Sequence, residues 1–96
     1  MSFKDKRKYT REVKRILNES LKIPYGTVQC HLVGNYIVVD INVRHRNCKE
    51  VQRINLTYHE CWALPTEFTF GCAKVQASLI KDGYNQFLED AHISSF

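Results

Sequence analysis

The feature that most constrains the fold is a pair of alternating segments on either side of Gly34-Asn35. Every even-numbered residue between 28 and 32 is apolar, and so is every odd-numbered residue between 37 and 43. Alternation of this kind is typical of strands with one buried face, and Gly-Asn favours a tight turn through its tolerance of positive φ. The two segments therefore predict a β-hairpin. Its inward-facing residues are predicted to be Val28, Cys30, Leu32, Ile37, Val39, Ile41 and Val43.

Residues 51–62 predict a third strand, which follows a short connection over residues 47–50. A one-residue slip between strands would reverse the buried and exposed faces, so the inward faces must agree. The register proposed on this basis pairs Val39 with Tyr58, Val38 with His59, and Arg44 with Arg53. The inward-facing residues of the third strand are predicted to be Ile54, Leu56, Tyr58 and Trp62.

Amphipathic helices are predicted on both sides of the strands, over residues 6–22 and 72–91. Pro24 ends the first helix, because the residue before a proline avoids helical geometry. The pattern does not decide whether residues 64–72 are strand, loop or helix. The first apolar stripe is Tyr9, Val13, Ile16, Leu17 and Leu21, and the second is Ala73, Ala77, Ile80, Tyr84, Phe87, Leu88 and Ala91. A further stripe of Phe68, Cys72, Val75 and Leu79 lies beside the second.

The predicted fold class is α+β: an N-terminal amphipathic helix, a three-stranded antiparallel β-meander and a C-terminal helix. Both helices are expected on one face of the sheet, where they cover the inward residues. A chain of 96 residues predicts a single domain, with fraying expected over 1–5 and 92–96. The chain lacks both an apolar run long enough to span a membrane and a signal-like leader. We therefore expect a cytoplasmic protein with reduced cysteines.

The positive charge is concentrated at the start of the chain. Residues 1–22 hold eight basic and three acidic residues, giving +5, whereas the remainder holds six basic and seven acidic residues, giving −1. Electrostatic attraction is therefore expected to come from the first helix. The predicted binding residues are Arg7, Arg11, Lys14 and Arg15 on that helix, with Arg44 and Arg53 at one end of the sheet.

Neither a metal site nor a catalytic site is predicted. The four cysteines and four histidines lack the Cys-x2-Cys and His-x3-His spacings of zinc sites. In the proposed register His31 and His59 lie two strand spacings apart, about 9–10 Å, which is too far for a shared ion. Cys61 and His59 are two residues apart on one strand, beyond the reach of a nucleophile and its base. The sequence therefore predicts no cofactor and no enzymatic activity.

The predicted element order, helix-strand-strand-strand-helix, is similar to that of the double-stranded-RNA-binding domain. The resemblance covers the topology of most of the chain. That family's lysine cluster at the start of its last helix would align with residues 71–75, where only Lys74 is basic, and its Gly-Pro-x-His loop is replaced by Gly34-Asn35. No binding residue is therefore transferred from that family.

These patterns favour a small non-enzymatic regulator or inhibitor that binds another protein through the basic helix face. A protein that handles nucleic acid is one candidate partner. The alternative is direct binding of RNA or DNA by the same helix. No membrane partner is expected, and a sheet edge could also pair two copies of the chain.

Overall fold

A computed structural model of the chain describes residues 1–23, 26–46 and 53–91, with the backbone alone for residues 45, 46, 53 and 54. The predicted C-terminal fray, 92–96, lies outside these residues. The elements are α1 (Phe3–Leu21), β1 (Gly26–Val33), β2 (Tyr36–Arg46), β3 (Arg53–Ala63) and α2 (Phe70–Asp90). The strands form one antiparallel sheet in the order β1-β2-β3. The predicted α+β class and element order are confirmed.

The predicted hairpin is confirmed, with Val33 opposite Tyr36 across the turn. Gly34 has φ +59°, as the first central residue of a type II′ turn requires, and Asn35 does not share the positive φ. Asn35 instead joins three segments. Its side-chain oxygen accepts a hydrogen bond from Lys6 Nζ (2.7 Å), and its carbonyl accepts one from the backbone N–H of Leu64 (2.8 Å).

The proposed register between β2 and β3 is wrong by two residues. Tyr58 pairs with Ile41 and His59 with Asp40, whereas Arg44 faces Asn55. A shift of two residues leaves every side chain on its predicted face, so the alternation could not distinguish the two registers. The length of the connection decides between them, since β2 continues to Arg46 and β3 begins at Arg53.

Both helices begin slightly earlier than predicted because each has an N-cap that satisfies its first turn. Ser2 Oγ accepts a hydrogen bond from the N–H of Asp5 (3.2 Å), so α1 includes residues 3–5. Thr69 Oγ1 accepts one from the N–H of Cys72 (3.0 Å), so α2 begins at Phe70. The helix α2 is continuous through Gly83.

The core lies between the two helices and one face of the sheet. Tyr9 joins the helices through its hydroxyl, which donates to Gln76 Oε1 (3.0 Å) inside the core. Most members of the predicted inward stripes are confirmed as buried or half-buried, but Ala91 at the end of the second stripe is exposed, as are Val75 and Leu79 of the further stripe. The side chain of Ile54 lies outside the described residues. The buried apolar residues are Tyr9, Val13, Leu17, Val28, Ile37, Val39, Ile41, Val43, Tyr58, Ala73, Ala77, Ile80, Tyr84 and Leu88.

Over the residues that the structure describes, neither helix combines the length and apolar character needed to cross a membrane.

Candidate interaction groove beside strand β1

The predicted basic stripe of α1 is divided by the fold into two sides. Arg7 and Arg11 face strand β1, and Lys14 lies close enough for its charge to act on Cys30 of that strand. Arg15 faces α2, with its guanidinium carbon 5.9 Å from the ring centre of Phe70. Two neighbouring surfaces therefore replace the single predicted stripe.

The side that faces β1 forms an open groove of about 300 Å³, lined by Arg7, Thr10, Arg11, Cys30, His31 and Leu32. Cys30 and Leu32 point toward the core, while His31 points to the open face of the sheet. Consecutive residues of a strand point to opposite faces, so only the strand's edge can present all three to one groove. The groove therefore runs along the outer edge of β1, beneath α1.

The cations of this groove are available for a partner. Among the described residues, Arg7, Arg11 and Lys14 make no salt bridge, and all three are exposed. Arg7 contacts an aromatic ring, since its guanidinium carbon lies 5.9 Å from the ring centre of Phe3. Unpaired guanidinium groups of this kind bind carboxylate or phosphate oxygens strongly because both donors can engage at once.

Arg15 differs from these cations because its charge is already compensated. Its two terminal nitrogens lie 2.9 Å from Glu12 Oε2 and 2.9 Å from Glu19 Oε1. The hydrogen bond from Arg15 lowers the pKa of Glu12 below its usual value. Arg15 therefore contributes less to an external field than its sequence position suggests.

The two remaining predicted residues do not join the groove. Arg44 lies on the open face, near the end of the sheet that is distant from the Gly34-Asn35 turn. It lines a shallow hollow with Thr27, Asn42 and Asn55. The predicted pairing of Arg44 with Arg53 is wrong, because Arg53 faces Arg46. The side chain of Arg53 lies outside the described part of the structure.

Cys30 is a structural thiol within this groove. Burial raises its pKa to about 11. The charge of Lys14 acts in the opposite direction, and the charge of Asp40 adds a smaller increase. A thiol with such a pKa is protonated at neutral pH and is a poor nucleophile. Cys30 therefore contributes to the shape of the groove and is not a candidate nucleophile.

Asp40 lies at the centre of the open face, between two histidines. Its Oδ1 is 2.6 Å from Nδ1 of His59, and its Oδ2 is 4.0 Å from Nε2 of His31. The corrected register produces this cluster, since Asp40 is directly opposite His59. Within residues 1–23, 26–46 and 53–91, no three His, Cys, Asp or Glu side chains are placed to hold a metal ion.

A second, apolar groove lies on the other side of α1, between α2 and the segment after β3. It holds about 490 Å³ and is lined mainly by apolar groups, including Leu64, Pro65, Val75 and Leu79. Val75 is 61% exposed and Leu79 is 47% exposed. This groove lacks charged side chains and is separate from the basic groove.

Sequence reasoning identified Arg7 and Arg11 but missed His31 and the strand edge beneath them. Residues 26–33 carry neither a formally charged residue nor proline, so this strand lacks the usual protection if it lies at a sheet edge. That signal becomes useful only when the strand order shows which strands lie at the edges.

Searches against protein-family models, curated proteins and solved structures return no significant match to this chain.

Proposed function

We propose that this protein is a non-enzymatic regulator or inhibitor that binds an acidic surface of another protein through the basic groove. The observation that carries the proposal is the set of three exposed cations, Arg7, Arg11 and Lys14, that lack ionic partners among the described residues. Uncompensated charges at a groove attract an oppositely charged partner and fix its orientation.

The non-enzymatic part of the proposal rests on the thiols. Cys30 has a raised pKa through burial, and Cys61 is exposed on the open face.

Cys30, Cys61 and Cys72 are all free thiols. A reducing compartment accounts for such thiols, so action in the cytoplasm is part of the proposal.

Removing the two groove arginines is expected to weaken partner capture by at least about tenfold, because each contributes a charge-assisted contact. The test is capture from an extract of the native cell by the immobilised protein carrying Arg7→Gln and Arg11→Gln. The matched control carries Arg15→Gln on α1 and Lys74→Gln on α2, which remove the same amount of charge beside the Phe70 ring. Captured protein is quantified by mass spectrometry.

The control pair is expected to capture the partner within about twofold of wild type, since Arg15 is already paired with Glu12 and Glu19. Equal loss in both pairs would mean that net charge, not the groove, governs capture. Full capture by the Arg7/Arg11 variant would contradict the proposal.

Direct binding of RNA or DNA is the second candidate, because Arg7, Arg11 and Lys14 follow one side of a helix and could follow a phosphate backbone. The groove offers no aromatic ring for base stacking. On the open face, Tyr36 is the sole aromatic side chain among the described residues, and it is 52% exposed.

Under this alternative, affinity for an oligonucleotide should fall by about tenfold or more between roughly 50 and 200 mM salt as counterions are released. Filter binding with single- and double-stranded oligonucleotides measures the effect. Under the protein-binding proposal, capture survives nuclease treatment and filter binding at low salt is weak. Tight, salt-dependent retention together with loss of capture after nuclease would select the alternative.

A further inference from the structure

We propose that the outer edge of β1 pairs with an extended acidic segment of the partner, which adds a fourth strand to the sheet. This inference rests on the proposed function, since it names the partner's form at the same groove. Strand addition of this kind combines main-chain hydrogen bonds with side-chain contacts at alternate positions.

The first support is that β1 is an uninterrupted edge strand. It pairs with β2 over eight consecutive residues, from Gly26 to Val33, without a bulge. Among the described residues, no strand pairs with the other side of β1. In an antiparallel ladder, every second residue of such a strand directs its N–H and C=O away from the sheet. The groove beneath α1 is lined by three consecutive residues of this strand, Cys30, His31 and Leu32.

The second support is that β1 lacks the features that normally prevent pairing at an edge. Proteins protect edge strands with charged residues, proline or bulges. Residues 26–33 contain none of these, whereas β3, at the other edge, carries an exposed Glu60. The edge of β1 is therefore open to pairing, and the basic groove beside it favours a partner strand that carries negative charge.

The third support is the spacing of the cations. Residues four apart on a helix are separated by about 6 Å along the axis, which is the separation of Arg7 and Arg11. Alternate residues of an extended strand are about 6–7 Å apart along the strand. A strand with an acidic residue at every second position would therefore present one carboxylate to Arg7 and the next to Arg11, with Lys14 close to a third.

A second copy of this chain is disfavoured as the occupant. Pairing β1 with β1 of another copy would bring two sets of Arg7 and Arg11 to the same edge. Like charges placed together at an interface oppose association. The charge of the groove therefore selects an acidic strand over self-pairing.

The experiment uses the full-length protein and a ten-residue peptide of alternating glutamate and threonine. We expect binding with a Kd below about 1 mM at low salt, followed by NMR titration. Backbone amides of β1 should gain protection from hydrogen exchange, and those of β3 should not. The control peptide has the same sequence with every backbone nitrogen methylated, which keeps the carboxylates but removes all of the backbone donors, whichever residues face β1.

The N-methylated peptide should bind at least about fivefold more weakly, because it cannot donate hydrogen bonds to the carbonyl groups of β1. Equal binding of both peptides, with no protection of β1, would overturn the inference and leave the proposed acidic recognition intact. Absence of binding would also overturn it, while the capture experiment decides the proposed function independently. Unchanged peptide binding by the Arg7→Gln, Arg11→Gln protein would also overturn the inference, because the third support requires those two side chains to contact the carboxylates of the peptide.

Two other occupants are tested in parallel. Sedimentation equilibrium that reveals a dimer with protected β1 amides, in the absence of peptide, would show self-pairing and overturn the inference. Displacement of the peptide by a ten-residue oligothymidylate at lower concentration would also overturn it, in favour of nucleic acid.

Discussion

The ionisation of three buried tyrosines is expected to lower the free energy of unfolding by about 4 kcal/mol as the pH rises from 8 to 11, because these groups ionise more readily in the unfolded chain. Burial raises the pKa of Tyr9, Tyr58 and Tyr84 to about 12. The charge of Cys72 adds to this effect at Tyr9, and that of Glu60 adds to it at Tyr58.

The direction follows from the two pKa values of each group. An unfolded tyrosine ionises near pH 10, whereas the folded value is about 12. The stabilisation is therefore fully present below about pH 10 and is lost as the pH rises toward 12. Each tyrosine loses about 1.4 kcal/mol by pH 11, and the total is comparable with the stability of an ordinary domain.

Urea unfolding at pH 8, 10 and 11 measures this loss. A variant with Tyr58→Phe and Tyr84→Phe should lose about 3 kcal/mol less stability than wild type over the same interval, since only one buried tyrosine remains. The control is Tyr36→Phe, because the Tyr36 ring is exposed on the open face and its removal should leave the pH dependence unchanged. Stability that stays level from pH 8 to 11 in wild type would contradict the prediction.

Replacing Gly83 with alanine is expected to destabilise the protein by about 1–3 kcal/mol, although alanine favours helices by about 1 kcal/mol. A Cβ at Gly83 would collide with the hydroxyl of Tyr58. The Tyr58 ring is only 6% exposed. It is held at 5.9 Å from the ring centre of Tyr84 and 5.7 Å from that of Phe87, so it cannot move aside freely.

Tyr58→Phe should rescue this variant. The Tyr58 hydroxyl is buried and makes no hydrogen bond to any described residue, so its loss costs little. With the oxygen gone, the nearest atom to the new Cβ is the ring carbon at 3.4 Å. We expect the double variant to be at least as stable as wild type in urea unfolding. A double variant as unstable as Gly83→Ala alone would exclude the collision as the cause.

Gly71→Ala provides the matched control for helix propensity. Gly71 lies in the same helix, and the nearest atom to a Cβ there is Thr69 Oγ1 at 4.0 Å. This variant should be neutral or more stable than wild type. Destabilisation by Gly83→Ala together with stabilisation by Gly71→Ala would separate the steric collision from the effect of alanine on helix propensity.

Much of the fold follows from short-range patterns, and the errors arise where those patterns repeat. Alternation placed Ile37, Val39 and Ile41 in the core but could not fix the register of β3, because a two-residue shift preserves both faces. Likewise, periodicity placed α2 correctly without showing that Gly83 accommodates Tyr58. The spacing of apolar residues within one segment does not show which residues of a distant segment it will contact.

The candidate site was predicted only in part for a similar reason. The basic residues of α1 were evident, but helical periodicity alone does not show that Arg15 pairs with two glutamates while Arg7 remains unpaired among the described residues. His31 joins the groove because β1 is an edge strand, which depends on strand order. Arg44 was grouped with α1 by charge, yet it lies on the other face of the sheet.

The contacts of Asn35 also bear on the order in which the chain folds. The hairpin that it closes involves neighbouring residues and can form within microseconds. Lys6 and Leu64 can reach Asn35 only after the turn exists, and each lies 29 residues from it along the chain. The bond between Tyr9 and Gln76 closes a much longer loop of 67 residues. We therefore expect the hairpin turn to form before the two ends of the chain assemble on it, and closing the helix pair to carry the larger entropic cost.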